Sequence, residues 1–241
     1  MLKIDLHIHS VASHALNTIY EIIRSASKKS MKLIALTEHG SSIEGAPIES
    51  YFELVSRIPK KICGVEVLKG CEANILNEKG DIDLGNDTLK RLDLVLAGIH
   101  NGTPYKKRDI NSNTKAMINC MKRGDVDIIS HPFKTGYPVD IPSIVECAKN
   151  TGVLLELNVS IFKPFNKPSL ELIEKTREMI ELCRRYNLWV VINSDAHIAH
   201  EIGDDSVIQS IFDLRGLNIL NNDYPTLKAF IKKWKEKRNE V

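Results

Sequence analysis

Lys3-Ile4-Asp5-Leu6-His7-Ile8-His9 opens the chain as a short apolar run that ends in two histidines. Residues two apart in a strand point to the same face. His7 and His9 therefore present two imidazoles to one small volume. Histidine is the commonest metal ligand among side chains, and two on one face make half of a tetrahedral site. Taken alone, a His-x-His pair is as often two half-buried histidines at a strand edge, so the decision rests on the rest of the chain.

The chain has eight histidines: His7, His9, His14, His39, His100, His131, His197 and His200. All but His200 lie at or just past the end of an apolar run, as in Leu33 to His39, Leu94 to His100, Val126 to His131 and Val190 to His197. Histidines kept for core packing would fall in the middles of runs as often as at their ends. Ligands that converge on one face of a barrel fall at one end of its strands. Glu72 sits inside the apolar run from Val65 to Ile75. Burying an unpaired carboxylate is costly, so a cation partner is expected there.

With Asp195, the candidate metal ligands are His7, His9, His14, His39, Glu72, His100, His131, Asp195 and His197. One ion takes roughly three or four protein ligands. Nine ligands fit two or three ions, with Glu72 offering one oxygen to each of two. His200 reads as a surface residue.

Apolar runs near residues 3–9, 33–37, 66–76, 94–100, 126–131, 153–159 and 190–195 read as seven strands. Helical periodicity fills residues 17–29, 47–58, 114–123, 141–150 and 168–186, the last reading as the longest helix. Two more helices follow, from about 206 and over 224–238, and residues 81–84 read as a short paired strand. This alternation predicts an α/β fold of parallel strands with helical crossovers, in one domain over 1–241. Its chemistry belongs at the carboxyl ends of the strands. The basic face of the tail (Lys228, Lys232, Lys233, Lys235) reads as solvated.

The composition is that of an ordinary globular protein, 43% hydrophobic and 27% charged with a net charge of +2. So weak a charge argues against nucleic acid as a partner. No stretch reads as a membrane span and no signal pattern opens the chain, so a cytoplasmic location is expected. The five cysteines form no Cys-x-x-Cys pair and read as reduced, mostly buried thiols. A homo-oligomer is compatible with all of this.

Seven segments then carry a resemblance, in order: Asp5-Leu-His7-Ile-His9, Thr37-Glu-His39-Gly, Gly70-Cys-Glu72-Ala-Asn74-Ile, Gly98-Ile-His100, Ile129-Ser-His131-Pro, Glu156-Leu-Asn158 and Ser194-Asp195-Ala-His197. Together they resemble the motifs of the PHP (polymerase and histidinol phosphatase) superfamily over nearly the whole chain. The sequence is most similar to its stand-alone bacterial trinuclear-zinc phosphatases. The resemblance implies a distorted (β/α)7 barrel with its metal site at the C-terminal ends of the strands. It implies a first ion on His7, His9, Glu72 and Asp195, a second on Glu72, His100 and His131, and a third on His14, His39 and His197. Two departures are visible: the loop from His9 to His14 is one residue shorter than in those relatives, and Glu38 stands where aspartate is usual. Glu38 alternates with His39 and need not bind metal.

The activity so implied is hydrolysis of phosphomonoesters, with small phosphorylated molecules as substrates and a metal-bound hydroxide in place of a protein nucleophile. Zinc is favoured, at two or three ions per chain with three preferred; manganese or iron also suits imidazole and carboxylate ligands. Glu156 and Asn158 are expected to support the ligands or orient substrate. Lys106, Lys107, Arg108 and Lys134 follow two of the ligand histidines in loops and are candidate phosphate contacts. A PHP-type nuclease or phosphodiesterase is the alternative enzyme. An amidohydrolase barrel would need a lysine in the run before His100, which has none. A non-enzymic metal-binding module is disfavoured, because structural zinc sites usually carry thiolates.

Overall fold

A computed structural model of the chain describes residues 1–106, 109–134 and 136–240. Strand β1 (Ile4–Ile8) leads through helix α1 (Ile19–Lys28) to β2 (Leu33–His39), α2 (Ser50–Leu54), β3 (Lys61–Ile62) and β4 (Val65–Asn74). Next come α3 (Asn86–Arg91), β5 (Leu94–Gly98), α4 (Ile110–Lys122), β6 (Ile128–Ile129), α5 (Ile141–Thr151) and β7 (Leu154–Asn158). The chain ends through α6 (Leu170–Arg185), β8 (Trp189–Asn193), α7 (Ser206–Ile211), β9 (Asn218–Ile219) and α8 (Tyr224–Glu240). The sheet order is β1-β2-β4-β5-β6-β7-β8-β9, with β3 beside β4. Every pair along that path is parallel; β3 alone among the described strands runs antiparallel. The expected seven strands are β1, β2 and β4 to β8, and the architecture is the expected distorted α/β barrel.

Local chemistry sets the boundaries. Thr18 and Glu21 form a reciprocal capping box, so α1 begins at Ile19 rather than at 17. Asp140 caps α5, and Gly152, left-handed at φ 74°, ends it. The expected strand at 81–84 reduces to a single bridge between Ile75 and Ile82. Helix α3 and strands β3 and β9 were not foreseen; each is six residues or fewer and too short to show a period.

The barrel closes without a ladder between β1 and β8 among the described residues. A lone bridge joins Ile8, the last residue of β1, to Ala196, past the end of β8, and the His9 amide donates to the Ala196 carbonyl at 3.0 Å. Side chains do the rest. Asn193 Oδ1 accepts from the Leu6 amide at 3.0 Å. Asp5 accepts from the Ser194 amide and hydroxyl at 3.1 and 2.5 Å and from the Gly203 amide at 2.8 Å. Asn221 Nδ2 donates to the Ile4 carbonyl at 3.0 Å and its Oδ1 accepts from the Ile192 amide at 2.8 Å.

Inside the barrel, Ile4, Leu6, Leu33, Leu94, Leu96 and Val191 pack with Leu227, Ile231 and Trp234 of α8. Helix α8 thus plugs the amino-terminal end of the barrel, and its basic face is not simply solvated. Lys228 pairs with Glu66, and Lys235 with Asp93. Arg238 is 1% exposed, bound to Asp127 and to the Leu92 carbonyl. At 17 residues α8 also exceeds α6, expected to be the longest, which has 16. Among the described residues no helix is long and apolar enough to cross a membrane. Cys63 is exposed and the other four cysteines are buried.

Candidate metal centre

With its amino-terminal end plugged, the barrel is open at the other. There the two histidines of β1 meet as the strand period requires, with Nε2 of His7 and of His9 3.1 Å apart. His39 ends β2 and stands level with Glu72 of β4 in the ladder. Glu72 is fully buried, and five imidazoles surround its two oxygens. Oε2 lies 3.2, 3.4 and 2.9 Å from nitrogens of His7, His9 and His39. Oε1 lies 3.0 and 2.9 Å from Nε2 of His100 and His131, which follow β5 and β6. Asp195, two residues past β8, places Oδ1 3.4 and 3.2 Å from Nε2 of His7 and His9.

These distances suit cations. His7 Nε2 and His9 Nε2 lie 3.1 Å apart, and each lies 3.2 to 3.4 Å from both Glu72 Oε2 and Asp195 Oδ1. A regular tetrahedron with edges of that length has its centre about 2.0 Å from each corner, the zinc–ligand distance. Glu72 Oε1, His100 Nε2 and His131 Nε2 form a triangle with sides of 2.9 to 3.1 Å, three corners of a second such figure open on one side. Glu72 Oε2 and Asp195 Oδ1 are buried without a hydrogen-bond partner, which is costly unless a cation meets them. A further group, with ligand atoms within 4.8 Å of one another, joins His9, His39 and His197. His14 is exposed, its ring 6.1 Å from that of His39, and it enters no such group among the described residues.

The electrostatics agree. Burial opposes charge on His7, yet Glu72, Glu156 and Asp195 outweigh it and hold its pKa well above the usual imidazole value. Burial also opposes charge on His9, but Asp195 and Glu72 carry it to about 9. His39 falls to about 4 through burial and then His9, and His100 to about 3 through burial. Against burial, the surrounding imidazoles hold Glu72 well below the carboxylate range, and His7 and His9 do the same for Asp195. The centre is a pair of ionised carboxylates that draws positive charge.

A second layer supports these residues, orienting the His7 ring and holding the backbone of His131 and His39. Glu156 Oε1 accepts from His7 Nδ1 and Asn193 Nδ2, both at 2.8 Å. Its Oε2 accepts from the His131 amide at 2.8 Å and from Asn158 Nδ2 at 3.0 Å. Asn158 Nδ2 also reaches Asp195 Oδ2 at 3.2 Å. Ser13 Oγ accepts from the His39 amide at 2.9 Å and lies 3.5 Å from His9 Nδ1, a support that no sequence motif marks. Glu38 turns to Ser10, accepting from its amide and hydroxyl at 3.0 and 2.5 Å.

Backbone strain and close packing concentrate here. His14, His131 and Asp195 adopt left-handed φ of 62°, 28° and 50°, a conformation held only where the surroundings over-determine it. A Cβ on Gly98 would lie 2.5 Å from Ser130 Oγ and 2.8 Å from His131 Cε1. Above the ligands opens a cavity of about 600 Å³, floored by His39, Glu72, His100, His131, Asp195 and His197 and walled by Asn101, Lys134, Ser160 and Ile161. Of the basic candidates, Lys134 lines this cavity. Lys106 borders a separate hollow beside Asn77 and Glu78, and Lys107 and Arg108 lie outside the described residues. His200 is exposed.

Residues 5–236 match the PHP domain family. A probable phosphatase of Caldanaerobacter subterraneus subsp. tengcongensis is 39% identical over 248 aligned positions, covering 100% of this chain and 94% of its own. A probable phosphatase of Thermoanaerobacter sp. is 37% identical, covering 98% and 97%. Among solved structures, histidinol phosphate phosphatase from Lactococcus lactis, complexed with zinc, L-histidinol and phosphate, superposes with a TM-score of 0.58. It is 15% identical, with 96% of this chain and 93% of that one covered, a likeness of fold. A single PHP profile spanning almost every residue, together with relatives aligned end to end, makes this chain a member of the PHP-domain family.

Proposed function

We propose that the chain is a metal-dependent phosphatase that hydrolyses phosphomonoesters of small molecules. What carries this reading is Glu72, whose two oxygens belong to different donor sets: Oε2 with His7, His9 and Asp195, and Oε1 with His100 and His131. Those sets would hold two ions with Glu72 between them. His39 and His197, with His9 or His14 beside them, would hold a third. Imidazole and carboxylate donors suit zinc, and also manganese and iron. The probable-phosphatase names of the full-length relatives point the same way.

Divalent cations in such a site acidify bound water and offset charge on phosphate oxygens. The chain's own groups prepare for this. Glu156 accepts from His7 Nδ1, which leaves Nε2 free as a ligand atom. Asn158 steadies the outer oxygen of Asp195. Lys134 on the cavity wall offers an ammonium group to the phosphate. In the reaction the oxygen of water bonds to phosphorus, the ester P–O bond breaks, and the alcohol leaves with a proton. No side chain bonds to phosphorus in this scheme.

Purified protein supplied with zinc should hydrolyse para-nitrophenyl phosphate. A mild chelator should stop turnover while circular dichroism stays native. Absence of turnover with zinc, manganese and iron in turn would overturn the reading. Cleavage of single-stranded DNA in preference to the small ester would replace it with a nuclease.

A further inference from the structure

A second hollow, about 270 Å³, lies against the cavity over the ligands, and Lys134 and Leu172 line both. One side of it is apolar, formed by Ile110, Phe133, Tyr137, Val139 and Leu172. Tyr137 adds no polarity to the wall, because its hydroxyl lies 3.2 Å from both the His100 carbonyl and Asn101 Oδ1. Phe133, Tyr137, Val139 and Leu172 are nearly buried, so the hollow is framed by packed side chains. Ile110 is 50% exposed at its edge, an apolar side chain left without cover. The outer rim carries Asp140, Glu171 and Lys175. With Lys134 at the inner end the hollow holds two carboxylates and two ammonium groups, which leaves no excess positive charge for a second phosphate on the substrate.

We propose that this hollow receives the alcohol portion of the substrate, and that the preferred substrates are monophosphates of alcohols with an apolar body about the size of one ring. The inference rests on the phosphatase reading, since it takes the phosphate to sit over the ligand histidines. Lys134 stands where the two spaces meet, so a phosphate beside it directs the ester oxygen toward Leu172 and the apolar walls. Burying a ring-sized group adds binding in proportion to the area removed from water. A small ester leaves the hollow wet and gains nothing from it.

The test compares 2-phenylethyl phosphate with ethyl phosphate on zinc-loaded protein; their leaving alcohols have similar acidity, so chemistry does not favour either. The phenyl ester should show a kcat/KM about tenfold higher or more and bind more tightly by calorimetry. Ile110→Ser, at an exposed position, should shrink that ratio several-fold. Equal kcat/KM and equal affinity for the two esters would overturn the proposal, as would a ratio that Ile110→Ser and Leu172→Ala both leave intact. If neither ester is hydrolysed but the phenyl ester still binds about tenfold tighter, the phosphatase reading falls and the apolar pocket stands.

Discussion

Nδ1 of His7 lies 2.8 Å from Oε1 of Glu156, and neither side chain has measurable exposure. The contact fixes which imidazole nitrogen faces the cup. Glu156→Gln keeps an acceptor for that proton but removes the charge behind it. Metal affinity should fall about tenfold or more with a native circular dichroism spectrum. Competition with a chromogenic chelator measures it, and unchanged affinity would detach Glu156 from the site.

Glu72→Gln is the severest conservative change. It removes the charge that five imidazoles face. Bound metal by elemental analysis should drop, and para-nitrophenyl phosphate hydrolysis should fall by about three orders of magnitude. Retention of wild-type metal content would show that Glu72 is not shared between ions.

Gly98→Ala places a methyl group against Ser130 and His131. The buried neighbours are close-packed, so the variant should lose about 1–3 kcal/mol in denaturant unfolding. It should also bind metal less tightly, because His131 must shift. A variant as stable as the parent would mean that this corner has room to move.

Acid should loosen α8. Burial raises the pKa of Glu66, but Lys228 and Tyr224 outweigh it and the folded value is lowered from 4.5. A depressed carboxylate stabilises the fold above its unfolded pKa, and that contribution is lost as pH falls through the lowered folded value. The loss therefore sets in below about pH 4.5. Hydrogen exchange of α8 amides, followed with the fluorescence of Trp234, should report it. Lys228→Met should flatten the acid dependence; an unchanged profile would place its origin elsewhere.

Arg238→Ala should cost about 3 kcal/mol or more at pH 8, where the buried Asp127 is ionised beside its partner. Burial already pushes that carboxyl up to about 7, so the penalty should shrink as pH falls and Asp127 takes a proton. The double variant Asp127→Leu, Arg238→Met should recover most of the loss. Thermal melts at pH 5 and 8 separate these outcomes.

The cup was legible because each of its histidines, and Asp195, ends or follows an apolar run, and period-two geometry turns His7 and His9 together. Glu72 was legible as a charge in an apolar strand. Ser13, Asp5, Asn193 and Asn221 were not, because their partners lie on other strands or loops and common polar residues advertise nothing locally. The docking of α8 was hidden for a different reason. Its lysines look like any solvated face until Glu66, Asp93 and Asp127 are found at the strand ends beneath them. Whether Lys134 was special could be told only from its place on the cavity wall.

The junction between β1 and β8 is sewn by Asp5, Asn193 and Asn221 where other neighbouring strands share backbone ladders. The donors His7 and His9 stand on one side of that junction and Asp195 on the other. A cation gripped by all three would act as a clasp across the weakest join in the cylinder. Loading would then raise the melting temperature by mass action, and starvation for the ion would make the same join the first place to gape.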